Sequence, residues 1–271
     1  MTQELRFGFG KNWANFLQHL DDSRIQEAID SLKSYLGVES LAGKTFLDVG
    51  SGSGLFSLAA YKLGATVKSF DYDENSVGCT KYLRDTYAPD SSWEVFQGSI
   101  LDAELTQKLG IYDIVYSWGV LHHTGDMYKA FENAEKLVNL KGTLFISIYN
   151  DQGGASRRWT YIKRKYNQSG CIGKRALEFY TLLRQWGLTF IKDFLKTGNP
   201  FKSWTNYAKN NRGMSAYHDL IDWVGGYPFE VAKPEEVFEF FKKRNFELYY
   251  LKTCAGGLGC NEFVLKRKNK K

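Results

Sequence analysis

The sequence lacks the long apolar runs and paired cysteines that mark several protein classes. No stretch of its 271 residues approaches the roughly 18 apolar residues of a membrane span, and no signal peptide is recognisable at its start. The four cysteines (Cys79, Cys171, Cys254 and Cys260) form no Cys-x-x-Cys pair, which argues against a zinc site or a disulfide framework. No serine nucleophile elbow, P-loop or His-Glu-x-x-His pattern is present. We therefore expect a cytoplasmic protein with reduced thiols.

Acidic residues are unevenly distributed along the chain. Residues 1–150 carry a net charge of −6, whereas residues 151–271 carry +12. Between residues 152 and 177 there are seven basic residues and no acidic one. Such a run is more often a solvated helix face. The alternative is a cationic wall for a phosphate, a carboxylate, a nucleic acid or an anionic membrane surface.

The most informative segment is the run from Phe46 to Phe56, which reads as a buried strand, a Gly-x-Gly-x-Gly turn and the start of a helix. Glycines in such a turn let the backbone approach a ligand closely, and a helix N-terminus favours anionic groups. A dinucleotide-binding fingerprint needs Gly-x-Gly-x-x-Gly, but Leu55 stands where its third glycine would be. A dehydrogenase is therefore disfavoured.

Strands and helices are predicted to alternate from residue 45 onward. Before residue 45, apolar residues at helical spacing and a helix stop at Gly37 predict one helix. The predicted strands cover residues 45–49, 66–70, 93–97, 112–117, 143–149, 246–251 and 261–266. Residues 150–232 show helical stretches and no clear strand, and a further helix is predicted to begin at Pro234. This alternation argues for a parallel sheet covered by helices on both faces.

With Asp48 before its first glycine, the glycine run resembles motif I of the class I S-adenosylmethionine (SAM)-dependent methyltransferases. The resemblance implies an α/β fold: a Rossmann-like sheet of seven strands, mostly parallel with the last antiparallel. A helical lid would be inserted between strands 5 and 6. It divides the chain into an N-terminal helical segment (1–44), a SAM-binding core (45–150), a substrate lid (151–232) and a C-terminal completion of the core (233–271).

Asp71 is predicted at the end of the second strand, 21 residues after Gly50. A carboxylate there can accept hydrogen bonds from both ribose hydroxyls of a nucleoside, although a turn or helix-capping role is the alternative. The resemblance implies SAM as cofactor and S-adenosylhomocysteine as product. It also implies that Tyr72, Ser99 and Ile100 border the adenine, while backbone groups at Ser117 and Trp118 hold the methionine end. The predicted cofactor residues are Asp48, Gly50, Ser51, Gly52, Gly54, Asp71, Tyr72, Ser99, Ile100, Ser117 and Trp118.

The candidate catalytic residues are two histidines, His122 and His218. The segment Gly-Val-Leu-His-His at residues 119–123 is similar to methyltransferases that act on quinones, lipids and other small molecules. A histidine there can act as a general base, or it can simply cap a helix or pack under the cofactor. His218 precedes Asp219, which suggests a base with an orienting carboxylate. Some ubiquinone-pathway O-methyltransferases have Glu-x-x-Glu-His in the segment that corresponds to residues 119–123 of this sequence, and that motif can bind a divalent ion. Because both carboxylates are absent here, no metal is expected.

The predicted substrate residues are Trp13, Tyr149, Asn150, Trp223 and Tyr227, with packing of the lid against the body as the alternative. The resemblance implies transfer of a methyl group to a small acceptor, most readily to one of its oxygens. The basic lid predicts that this acceptor carries a phosphate or a carboxylate. One alternative is an RNA-modifying methyltransferase, because Trp159, Tyr161 and Tyr166 lie among the basic residues. A SAM-binding protein without catalysis is the other alternative.

Overall fold

The computed structural model describes residues 6–10, 13, 17, 20–207 and 216–269. Seven strands form one sheet in the order β3-β2-β1-β4-β5-β7-β6. The first five strands run parallel to one another, and β7 pairs antiparallel with both β5 and β6. This confirms the predicted α/β sheet. The strands are β1 Thr45–Val49, β2 Thr66–Asp71, β3 Glu94–Gln97, β4 Tyr112–Trp118, β5 Val138–Tyr149, β6 Phe246–Lys252 and β7 Cys260–Arg267.

The structure describes bounds for ten α-helices, and residues Leu121–His123 form a short 3-10 helix after β4. The α-helices are α1 Asp22–Leu36, α2 Leu55–Lys62, α3 Glu74–Tyr87, α4 Ala103–Leu109, α5 Met127–Lys136, α6 Gly154–Gln168, α7 Cys171–Thr197, α8 Lys202–Thr205, α9 Ala216–Gly225 and α10 Pro234–Lys242. Gly37 ends α1 in the left-handed conformation, as its position in the sequence predicts. None of the described helices combines the length and the apolar character that a bilayer crossing needs.

Helices cover both faces of the sheet, and a separate apolar cluster fills each side. Along β1, Phe46 points into the cluster beneath α1 and α2, whereas Leu47 and Val49 point into the cluster beneath α5 and α10. This alternation follows from the two-residue period of a strand. The sheet is therefore buried on both faces in its centre, and the carboxyl ends of β1, β2, β4 and β5 meet at one edge.

The described helices α6, α7, α8 and α9 form an insertion between β5 and α10. A third apolar cluster, which includes Trp159, Ile162 and Phe229, joins this insertion to Tyr149 at the end of β5. The insertion is thus anchored beside the carboxyl ends of the strands, where ligands bind in open α/β sheets.

Candidate cofactor and acceptor site

The glycine turn follows β1 where the strand order reverses between β1 and β4. The amide groups of Gly50 and Ser51 donate to the carbonyl oxygen of Phe70 at 2.8 and 3.1 Å. Gly50, Gly52 and Gly54 have φ values of 79°, 55° and 83°, which side-chain-bearing residues rarely adopt. The turn therefore borders the crevice at the switch point, which is the usual ligand site of such sheets.

Space as well as φ requires glycine in this turn. A Cβ atom at Gly50 would collide with Val120, and one at Gly54 would lie 2.9 Å from the Cα of Thr80. At Gly52, an added Cβ would lie 3.0 Å from Cε2 of Trp13. Trp13, a predicted substrate residue, therefore lies over the glycine turn.

Asp71 ends β2 beside this turn, as the sequence predicts. Its Oδ2 accepts a hydrogen bond from the Gly52 amide, and its Oδ1 accepts one from the Asp73 amide, both at 2.9 Å. Burial raises the pKa of Asp71 to about 6. Tyr72 follows with a half-exposed ring, and the Arg6 guanidinium carbon lies 4.3 Å from the ring centroid. The carboxylate is therefore placed to accept ligand hydroxyls at the mouth of the crevice.

Asp48 lies beneath the turn, where Ser57 donates a hydrogen bond to its carboxylate. Ser57 also bonds Ser69 at 2.7 Å, so the three side chains link β1, β2 and α2. Burial raises the pKa of Asp48 to about 7. Its contacts lie within the protein core, which makes its influence on the crevice indirect.

Three further predicted cofactor residues, Ser99, Ile100 and Ser117, take part in hydrogen bonds within the protein. Ser117 Oγ donates to the carbonyl oxygen of Val49 at 2.9 Å, and Ser99 Oγ accepts from the Leu101 amide at 3.2 Å. The carbonyl oxygen of buried Ile100 accepts from Asn133 Nδ2 at 2.8 Å. These hydrogen bonds hold the end of β4 and the loop after β3 in place next to the switch point.

The two adjacent histidines at the end of β4 are held in different ways. His122 is fully buried and its Nδ1 accepts from the Tyr149 amide at 3.3 Å, which places its proton on Nε2. That Nε2 has no hydrogen-bond partner within the described residues. His123 Nδ1 donates to the carbonyl oxygen of Pro228. Burial lowers the pKa of His122 well below its usual range and that of His123 to about 3, which makes both rings neutral at pH 7.

The second predicted base, His218, lies in α9, and its side chain is outside the described residues. Tyr207 Oη donates to Oδ2 of neighbouring Asp219 at 2.6 Å. Among the ranges that the structure describes, no group of three histidine, cysteine or carboxylate side chains is placed to hold a metal ion.

Tyr149 and Trp223, both predicted substrate residues, pack in an aromatic cluster with Phe229 and Trp159. The ring centroids of Tyr149 lie 5.6 Å from Trp223 and 5.2 Å from Phe229. Of the three aromatic residues that suggest RNA stacking, Trp159 and Tyr166 are buried in this region and Tyr161 alone is exposed. Of these three rings, therefore, only that of Tyr161 is exposed enough to stack on an RNA base.

Lys163 enters the same cluster, which the basic run around it does not predict. It is fully buried, donates a hydrogen bond to the carbonyl oxygen of Trp223, and lies 4.1 Å from the Trp223 ring centroid. Burial lowers the pKa of Lys163 to about 7. The signal in the sequence is its helical spacing from Trp159 and Tyr166, which places all three on one face of α6.

Asn150 and Tyr227 make connections between elements. Asn150 Nδ2 donates to the carbonyl oxygen of Gly257 at 3.2 Å, and its Oδ1 accepts from Asn261 Nδ2 at 3.1 Å. Asn150 thus joins β5 to β7 and to the loop before it. The carbonyl oxygen of Tyr227 accepts from the Phe7 amide at 2.8 Å.

Residues 6–10, called here the N-terminal strap, run across the crevice. At one end, the Gly10 amide donates to Asp73 Oδ2 at 2.9 Å. Toward the other end, the Phe7 amide bonds Tyr227, and Arg6 Nη2 donates to the carbonyl oxygen of Thr124 at 2.8 Å. The strap therefore connects the end of β2 with the insertion.

A cavity of about 220 Å³ lies between α1 and the sheet, and Leu55, the residue after the glycine turn, is part of its lining. Its lining is largely aromatic and also holds four charged side chains. Aromatic lining residues include Tyr35, Phe56, Tyr116 and Trp118, and the charged ones are Arg24, Glu27, Lys252 and Glu262. Arg24 Nη1 is buried without a hydrogen-bond partner in the described part of the chain. Sequence reasoning missed this cavity because its walls come from six separate elements.

The chain resembles known methyltransferases. A family model described as a methyltransferase domain matches residues 21–225. Over 110 residues, the chain is 30% identical to a ubiquinone biosynthesis O-methyltransferase from Rhizobium leguminosarum bv. trifolii. That match covers 41% of this chain and 42% of the relative, so it spans less than half of the relative's length.

Two solved structures share the fold. Magnesium protoporphyrin IX methyltransferase from Synechocystis PCC 6803 with bound SAH superposes with a TM-score of 0.55 at 15% identity, covering 95% of this chain and 94% of that one. PKMT2 from Rickettsia typhi in complex with AdoHcy gives a TM-score of 0.56 at 15% identity, covering 90% and 53%. At this identity, the likeness concerns the fold alone.

Proposed function

The chain belongs to the methyltransferase-domain family, and from that premise we propose that it transfers a methyl group from SAM to an oxygen of a small, anionic acceptor. The observation that carries the proposal is the Asp71 carboxylate, which lies 2.9 Å from the Gly52 amide at the switch point of the sheet. A carboxylate beside a glycine turn suits a nucleoside, because it accepts from ribose hydroxyls while the turn admits the rest of the ligand.

In this proposal, different residues around the crevice bind different parts of SAM. Asp71 binds the ribose, Tyr72, Ser99 and Ile100 border the adenine, and the backbone of residues 50–54 and 117–118 faces the methionine end. The fit is supported by the turn itself, where Gly50, Gly52 and Gly54 have positive φ values that curve the backbone around the end of β1. It is supported further by the structure of magnesium protoporphyrin IX methyltransferase, which contains bound SAH.

We place the acceptor in the cavity beside α1. Leu55, which directly follows the glycine turn, and Trp118 at the end of β4 both line this cavity. The cavity therefore adjoins both segments assigned to the methionine end of SAM. Its aromatic walls suit a planar molecule, and the buried Nη1 of Arg24 can pair with a carboxylate or a phosphate. The O-methyltransferase name of the relative supports oxygen as the acceptor atom.

The chemistry asks little of the protein beyond alignment and exclusion of water. SAM supplies a methyl group on a positively charged sulfur, and the acceptor oxygen attacks that carbon in line as the carbon–sulfur bond breaks. A hydroxyl acceptor also loses a proton. Glu27 and Glu262 line the cavity and can accept it. His122 is less suited, because its Nδ1 already accepts from Tyr149 and its Nε2 carries the proton.

Ligand-induced thermal stabilisation tests the cofactor assignment. SAM and S-adenosylhomocysteine should each raise the melting temperature, and Asp71→Ala should abolish both shifts. Asp90→Asn, which changes an exposed carboxylate, serves as the matched control and should keep them. Stabilisation by NADH in place of SAM would contradict the proposal.

Methyl transfer from labelled SAM to a panel of hydroxylated aromatic acids tests the acceptor site. Arg24→Met should lower transfer while leaving the SAM-induced shift intact, since Arg24 lies in the cavity wall. His122→Ala and His218→Ala test the histidines in the same assay. If both keep wild-type turnover, neither histidine is the base.

A further inference from the structure

Helix α7 is the least buried long element in the part of the chain that the structure describes. It spans 27 residues, yet Thr181 is its one fully buried residue. Large apolar side chains are instead exposed along it, and Ile172, Phe179, Leu183, Ile191 and Phe194 are each more than half exposed. We call these five residues the apolar face of α7. Because an α-helix turns by about 100° per residue, they lie within about 120° of its circumference.

The surroundings of the apolar face are strongly cationic. Residues 154–207 contain eleven basic and two acidic residues, a net charge of +9. On α7 itself, Arg184, Lys192 and Lys196 are exposed. The basic run found in the sequence continues into this helix. Within that run Arg157, Arg158, Arg164 and Lys165 are exposed, whereas Lys163 is buried. The proposed methyl transfer does not use this surface.

We propose that the apolar face of α7 binds to an anionic membrane surface. A long helix with phenylalanine, leucine and isoleucine on one face and lysine and arginine around it lies in the plane of the lipid headgroups. The apolar side chains enter the headgroup and acyl boundary, while the cations contact anionic lipids. The inference goes beyond the proposed function and holds whatever acceptor the crevice takes.

Charge favours a membrane over two other occupants. A second copy of this chain would bring two segments of net charge +9 together, which like-charge repulsion opposes. A nucleic acid would satisfy the cations but would leave Phe179, Leu183 and Phe194 facing phosphates. An anionic lipid surface matches both the apolar side chains and the cations.

Vesicle flotation tests the proposal on the full chain. We expect the protein to float with vesicles that contain phosphatidylglycerol and to stay in solution with phosphatidylcholine alone. Added salt should weaken binding, because the electrostatic part is screened. Failure to float with phosphatidylglycerol vesicles, or equal binding to both vesicle types, would overturn the proposal.

Paired variants assign the effect to the face. Phe179→Ser with Phe194→Ser should reduce vesicle binding at least tenfold, whereas Ile111→Ser, which changes an equally exposed residue before β4, should not. Lys192→Glu with Lys196→Glu should also reduce it, and Lys108→Glu on α4 is the matched control. The SAM-induced shift should persist in every variant, which verifies folding and separates this test from that of the proposed function.

Two results would assign the face to another occupant. If the wild type is a dimer by light scattering, and the serine double variant is a monomer with unchanged vesicle binding, the face joins two copies. If tRNA binds in a salt-dependent way and competes with vesicles, while the serine variant still floats, the surface recognises phosphates without lipid insertion. Either result contradicts membrane binding through the apolar face.

Discussion

The Gly52 amide donates a hydrogen bond of 2.9 Å to Oδ2 of Asp71, which ties the glycine turn after β1 to the end of β2. A second amide, that of Asp73, holds Oδ1 at the same distance. The carboxylate is thereby fixed in orientation before any ligand arrives, with lone pairs left on each oxygen. Preorganisation of this kind lowers the entropy cost of binding a nucleoside.

Cofactor affinity should depend on pH through Asp71. Burial raises the pKa of this carboxyl to about 6, and the ionised form is the better acceptor for ribose hydroxyls. We expect SAM to bind about tenfold more weakly at pH 5 than at pH 7. Titration calorimetry across this range measures the effect. Asp71→Asn should bind weakly at every pH, and a steep pH dependence in that variant would rule out Asp71 as its source.

Fold stability should depend on pH through Asp48. Burial raises the pKa of the folded carboxyl to about 7, so between about pH 4 and 7 the folded state binds the proton more tightly than the unfolded state. This contribution to the free energy of unfolding falls as pH rises through that window, by at most about 1.4 kcal/mol per pH unit.

Urea denaturation of the wild type and Asp48→Asn measures this contribution as a difference. The difference is needed because His122 and His123, whose pKa values burial lowers, act with the opposite sign below pH 6.5. Asp85→Asn changes an exposed carboxylate and should leave the wild-type curve unchanged. If the difference between the wild type and Asp48→Asn is flat from pH 4 to 7, the carboxyl is not buried in its protonated form.

Lys163→Met should stabilise the fold near neutral pH. Burial lowers the pKa of the folded amine to about 7, so the unfolded state binds the proton more tightly from pH 7 to about 10. The wild type should therefore gain stability relative to the methionine variant as pH rises through this window. Thermal unfolding at several pH values measures it. Lys165→Met, on the exposed side of the same helix, should show no such trend.

Two glycine substitutions should have opposite effects on stability. In Gly54→Ala, a residue with φ +83° acquires a Cβ placed 2.9 Å from the Thr80 backbone, so we expect a loss of about 2 kcal/mol. In Gly78→Ala, the new Cβ meets nothing within 4 Å inside α3, so we expect a gain of about 0.5–1 kcal/mol. Equilibrium unfolding distinguishes them, and equal effects would show that the turn tolerates a side chain.

The sheet was predictable because its strongest signals are local. The bounds of β1 match the prediction, since an apolar run ends there at a glycine turn. The sequence predicts that β5 begins at residue 143, whereas the strand begins at Val138. Lys141 with φ 62° and Gly142 read as a turn in sequence, yet the backbone continues as a strand because Val138 still pairs with Tyr112.

The site was predictable only where a motif carries it. Asp71 and the glycine turn are neighbours in space because successive parallel strands bring their ends together. The cavity beside α1 could not be predicted, because Arg24 and Lys252 are more than 200 residues apart in the sequence and both line it only in the folded chain. The burial of Lys163 could not be predicted from the basic run, because its neighbours Arg164 and Lys165 are exposed cations of the same kind.

The strap has a consequence for the order of events in turnover. The Gly10 amide donates to Asp73 on one side, and on the other side the Phe7 amide donates to Tyr227 and Arg6 donates to Thr124. For the site proposed above, we expect S-adenosylhomocysteine to leave only after the hydrogen bonds on one side of the strap break. Departure of the product can then be slower than the chemical step, and the first turnover would outpace those that follow.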